Sequence, residues 1–178
     1  MSTPGLRWLA LPLAAAALCS PAGAQSYRDP MGLFALPLPA GWTGKLTAMD
    51  GAELFSRGDA SGMVLFLGTA AVKPQILEGI RKNFQTNHRL LRTAKARVGG
   101  GVEATAEIYE GKRRDGQTEI VRMVTVPAGT AIGFYMVACP ETEWDRWKAD
   151  FAVMEHGLLF ATERSGGAFT ALPKDVLK

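Results

Sequence analysis

The side chains of this sequence that could do chemistry are few and far apart. Cys139 precedes Pro140 at what reads as the start of a helix, where backbone N–H groups can lower a thiol pKa. Its small apolar neighbours Val137 and Ala138 point the other way, to a buried strand end or a helix N-cap carrying an inert thiol. His88 and His156 lie in different elements, and one cysteine with two separated histidines makes no cluster of metal ligands at defined spacing. No Gly-x-Ser-x-Gly elbow supplies a serine nucleophile. No catalytic residue, metal or other cofactor is therefore expected.

Four further groupings invite a function and have a plainer reading. Glu103 and Glu107 share a strand face with Thr105, which could support acid–base work, but beside Tyr109 they read as a solvated face. Gly99-Gly100-Gly101 is followed by a strand, whereas a phosphate cradle needs a helix there, so it reads as a flexible connection. Lys112-Arg113-Arg114 sits at a hairpin tip, where it is either solvated or touches a partner or a lipid headgroup. Trp144, Trp147 and Phe151 fall on one helical face; such a face packs into a core by default, and the alternative is the lining of a pocket for an apolar ligand.

The elements that must hold these residues follow a secretory leader. Arg7, an apolar run from Trp8 through Leu18 and the small residues Ala22-Gly23-Ala24 describe a signal peptide cleaved between Ala24 and Gln25. The apolar run is too short, and too interrupted by Pro12, to span a bilayer. Leu18, where a lipoprotein signal has a small residue, argues against lipidation at Cys19. Cleavage removes Arg7 and no acid, leaving 19 bases against 17 acids, a net charge of +2. Charges this balanced and interleaved draw neither nucleic acid nor an anionic membrane, so at most peripheral membrane contact is expected. Cleavage also removes Cys19, so Cys139 has no intramolecular disulfide partner in an oxidising compartment.

Residues 25–160 read as one domain and 161–178 as a disordered tail. Strands are expected at 33–38, at 52–57 and 63–69 around the Gly58 to Gly62 turn, at 88–98, at 102–109, at 119–126 and 131–138, and at 157–160. Met63 to Leu67 is apolar on both faces, as suits a strand covered from both sides. A first helix opens at Pro74 with Ile76, Leu77, Ile80 and Phe84 on one stripe. A second opens at Pro140 and carries Trp144, Trp147, Phe151 and Met154 on one face. The order is α+β: a mostly antiparallel central sheet of six to eight strands flanked by two main helices.

The run Asp29-Pro30-Met31-Gly32-Leu33-Phe34-Ala35-Leu36, the turn Leu38-Pro39-Ala40-Gly41-Trp42, and the ending Trp147, Phe151-Ala152-Val153-Met154 and Leu158-Leu159-Phe160 together resemble the PsbP-like family. The resemblance implies an antiparallel sheet between helices, an α/β/α sandwich, in a family of thylakoid photosystem subunits and exported bacterial proteins. It implies an accessory or interaction module without enzymatic activity, and it carries no functional residue across. The expected function is thus a non-catalytic interaction module of the bacterial cell envelope, periplasmic, docking on another envelope protein by a sheet surface or edge. The alternatives are a carrier of a small apolar or lipid-like molecule between the sheet and the second helix, and an unrecognised hydrolase.

Overall fold

The computed structural model describes residues 25–47, 52–67 and 74–161; residues 1–24, with Ala24 of the expected cleavage site, and those beyond Ala161 lie outside the described residues. The elements in chain order are β1 (Gln25–Arg28), β2 (Phe34–Leu38), β3 (Thr43–Leu46), β4 (Ala52–Arg57), β5 (Ala60–Leu67), α1 (Pro74–Gln85), β6 (His88–Val98), β7 (Val102–Lys112), β8 (Thr118–Ala128), β9 (Ala131–Pro140), α2 (Trp144–Gly157) and β10 (Leu159–Phe160).

Seven strands form one antiparallel sheet in the order β3-β4-β5-β9-β8-β7-β6, within the expected range of six to eight. The strand alternation divides the central β9 between two cores. Tyr135, Val137 and Cys139 enter the core closed by α2, while Phe134 and Met136 face α1 with Val121 and Met123 of β8. A sheet apolar on both faces needs a cover on each, and the two helices supply them.

The opening and closing strands are not part of that sheet. β2 pairs with β1 and β10 in a separate three-stranded sheet, a strand and a partner the alternation did not suggest, since Gln25–Arg28 is short and mostly exposed. Phe160 of β10 packs edge-on to Phe34 and stacks on Phe66, which joins the small sheet to the large one. Gly133 makes room for this: a Cβ there would lie 2.3 Å from the Phe160 ring.

Several boundaries differ from expectation for identifiable reasons. The β4–β5 turn is Gly58-Asp59 alone, with Arg57 opposite Ala60, because the left-handed φ of Gly58 (56°) closes a two-residue hairpin. Pro140 does not open the second helix. It is the last residue of β9, opposite Glu119, and a 3-10 turn, Glu141–Glu143, carries the chain into α2. Proline's fixed φ suits a strand end as well as a helix start. The expected connection at Gly99–Gly101 is likewise a 3-10 turn. On β7 the outer face expected to be wet is covered at one end: Tyr109 is fully buried and Glu107 nearly so, because Phe84 and Arg81 of α1 lie over them.

Candidate functional site

The face of the sheet beneath α1 carries the feature most easily read as a site. Met63 on β5 stands directly opposite Met136 on β9, and Met136 directly opposite Met123 on β8. Cross-strand partners share a face, so three methionines form a row across three adjacent strands. They border an open cleft of about 330 Å³ that is also lined by Leu65, Ile80, Phe84 and Phe134 and by the polar side chains of Asn83, Asn87 and His88.

His88, the first residue of β6, is held on every side. Its ring stacks on Phe84 at 4.1 Å, and its edge fits against Gly111, where a Cβ would lie 2.2 Å from the ring. Nδ1 is 3.2 Å from the Phe84 carbonyl oxygen and Nε2 is 3.0 Å from Glu119 Oε1. Both nitrogens face acceptors, and a ring carrying both protons donates to both.

The opposite face is filled. Trp147 and Phe151 of α2 are buried, pack edge-on against Trp42, and leave Trp144 half-exposed beside Phe151. Asp150 accepts from Trp42 Nε1 at 2.8 Å and from Arg57 Nη1 at 3.0 Å, and the guanidinium groups of Arg57 and Arg146 both lie over the Trp147 ring. Tyr135 donates its hydroxyl proton to the Phe151 carbonyl at 3.0 Å. These aromatic side chains pack the core rather than border the cleft.

The remaining sequence-derived candidates are dispersed. Cys139 is 1 % exposed on the α2 side, and burial, followed by the charges of Glu143 and Glu119, pushes its thiol up to about 11. Glu103 is exposed, whereas Glu107 accepts from Arg81 Nε at 3.2 Å, so the two carboxylates do not converge. His156 is exposed in the last turn of α2. Lys112 donates to Thr118 Oγ1 at 2.7 Å and Arg113 reaches Asp115 at 3.5 Å, which leaves Arg114 as the outward cation of the hairpin tip. Gln25 begins β1 opposite Leu38. Among the described residues no three His, Cys, Asp or Glu side chains are placed to hold a metal ion, and no helix is long and apolar enough to cross a membrane.

The end of the large sheet offers a second surface. β6 is eleven residues long, pairs among the described residues on one side only, with β7, and is exposed over most of its length. It carries Arg89, Arg92, Lys95 and Arg97; Arg89 pairs with Glu110 at 3.1 Å, and the other three make no ion pair among the described residues. Leu90 and Leu91, exposed at a bulge in the same strand, add apolar surface. The sequence showed β6 as a basic strand but not as the sheet's edge, because edge position depends on strand order. The methionine row was half legible: the β8–β9 turn brings Met123 opposite Met136, but only the long-range pairing of β5 adds Met63.

No protein-family model matches the chain, and no curated protein matches it. Solved structures do. Cyanobacterial PsbP (CyanoP) from Synechocystis sp. PCC 6803 superposes with a TM-score of 0.54 at 15% identity, covering 84% of this chain and 99% of that one. The Ran-binding protein Mog1p of Saccharomyces cerevisiae gives 0.52 at 11% identity, covering 80% and 97%. A protein from Bacteroides thetaiotaomicron VPI-5482 gives 0.53 at 14%, covering 80% and 50%. The chain has the PsbP-like fold.

Proposed function

We propose that the chain is a non-catalytic interaction module of the bacterial cell envelope, exported by cleavage after Ala24 into the periplasm, which receives an extended acidic segment of another envelope protein along the free edge of β6. The single observation that carries this reading is that edge: eleven residues of one-sided pairing among the described residues, with three exposed cations, Arg92, Lys95 and Arg97, held in no ion pair. A strand added there would satisfy the outward backbone N–H and C=O groups, and its carboxylates would meet Arg92, Lys95 and Arg97. The other edge of the sheet, β3, is only four residues long. The dispersal of Cys139, His88, His156 and the glutamates supports a role without catalysis. The Ran-binding protein of similar fold supports the use of this scaffold for protein contacts, at the level of fold alone.

The test is native mass spectrometry with crosslinking on the mature protein isolated from its own periplasm, wild type beside Arg92→Glu/Lys95→Glu/Arg97→Glu. A protein adduct that the variant loses, crosslinked to β6 through an acidic segment, is the expected result. An adduct the variant retains, or bare protein carrying only a small molecule, overturns it, and the small molecule would favour a carrier.

A further inference from the structure

We propose that the row of Met63, Met136 and Met123 is a thioether site for a soft monovalent metal ion, Cu(I), reached through the cleft beneath α1. Geometry supplies the first argument. The three side chains project from directly opposed positions on adjacent strands, all on one face, and all border the same cleft. Neighbouring Cβ atoms in such a row are about 5 Å apart, so the outer two are about 10 Å apart. Two flexible, unbranched thioether arms can lean across that span toward the central one and bring three sulfur atoms around one ion.

Chemistry supplies the second argument. The side chains bordering the cleft include no carboxylate to balance a divalent charge; their only hard oxygen donors are the neutral amides of Asn83 and Asn87, whereas three neutral thioethers are ligands that select Cu(I). Methionine also fills gaps in cores, but a gap-filling methionine leaves no cavity, and these three border one of about 330 Å³. Neither of the other soft or imidazole donors nearby competes. Cys139 points into the core on the opposite face of the sheet. His88 already has one nitrogen on a carbonyl and the other on Glu119. A site made of thioethers alone also takes up its metal without releasing protons, unlike one made of thiols or imidazoles.

The experiment is anaerobic titration of the mature chain with Cu(I), kept reduced by excess ascorbate, against a chromogenic Cu(I) chelator, followed by X-ray absorption of the loaded protein. One Cu(I) per chain with sulfur neighbours is expected, with affinity unchanged between pH 5 and 8. Cys139→Ser should bind as wild type, and Met63→Leu/Met123→Leu/Met136→Leu should lose about 100-fold or more in affinity. Methionine-to-leucine exchanges roughly conserve volume and should leave the fold intact. The wild-type protein gives a check independent of that variant: with methyl-labelled methionine, Ag(I) should shift the resonances of Met63, Met123 and Met136 at one equivalent and leave exposed Met31 in place. Failure to bind, binding retained by the leucine variant, binding lost in Cys139→Ser, or three unmoved methyl resonances would each overturn the proposal.

Discussion

Arg122 of β8 and Glu155 of α2 clasp each other through two charge-assisted bonds, Nε to Oε2 and Nη2 to Oε1, each 2.7 Å long. They join the middle of the large sheet to the helix that covers it, and Glu155 is only 6 % exposed. Removing one member leaves the other charge stranded near the core. Glu155→Ala should therefore cost about 3 kcal/mol of folding stability, visible as a lower urea midpoint at unchanged slope. The paired change Arg122→Met/Glu155→Leu, which strands no charge, should recover most of that loss. A double variant as unstable as the single one would show that packing around α2, and not the charge pair, sets the cost.

The protein's three tyrosines all have hydroxyls raised above their usual range. Burial is the leading cause in each case; Tyr27 additionally donates to Glu53, Tyr109 lies beside Glu107, and Tyr135 near Glu155. The neutral hydroxyl is the favoured form in the folded state, so this stability is fully present below about pH 10, the unfolded value, and is lost as pH rises through the folded values. Absorbance at the tyrosinate band should stay flat to above pH 10 and then rise together with loss of helical circular dichroism. A reversible tyrosine titration centred near pH 10 in protein that is still folded would contradict this account.

Cys139 should be chemically silent while the protein is folded. Its thiol is buried on the α2 side and pushed up to about 11, so at neutral pH almost none of it is thiolate. A bulky maleimide should leave Cys139 of the native protein unlabelled over hours and label it in denaturant. Native labelling as fast as that of a free thiol would mean that the β9 end opens readily.

How much of this was legible in the sequence depends on whether a feature is local. The Trp147–Phe151–Met154 face and the apolar stripe of α1 follow from helical spacing, and the central position of β5 follows from its apolar run. Tyr109 was misread because alternation reports which residues share a face, not which face a distant helix will cover; Phe84 arrives from 25 positions away. The role of β10 was hidden for a similar reason. Two residues carry no periodicity, and their place beside β2 is set by the aromatic contacts of Phe160 with Phe34 and Phe66. Met63's place in the methionine row and the free edge of β6 are consequences of strand order, which no local pattern encodes.

Gly133 tests the long-range dependency that places β10. A Cβ at that position would sit 2.3 Å from the Phe160 ring, and the ring is already fixed between Phe34 and Phe66. Gly133→Ala should therefore displace β10 at a cost of about 2 kcal/mol. Amide exchange at Ala161, whose N–H donates to the Leu33 carbonyl at 2.9 Å, should speed up more than exchange in β7. Uniform acceleration everywhere would instead mark a general loss of stability.

The cations of β6 also have a consequence that needs no partner. A long, exposed edge strand is a template for pairing with a second copy of itself, and like charges along it oppose that pairing. Arg92, Lys95 and Arg97 make no ion pair among the described residues, so an edge-to-edge dimer would bring them close to the same three cations of the second copy. Replacing all three with threonine, a good strand former, keeps the strand and removes the repulsion. Light scattering at increasing concentration should show the wild-type protein monomeric and the threonine variant self-associating, and high salt should move the wild type toward the variant by screening the charges. If both stay monomeric at every salt concentration, the bulge between Leu90 and Arg92 is guarding the edge instead, and the three cations are left for an acidic partner alone.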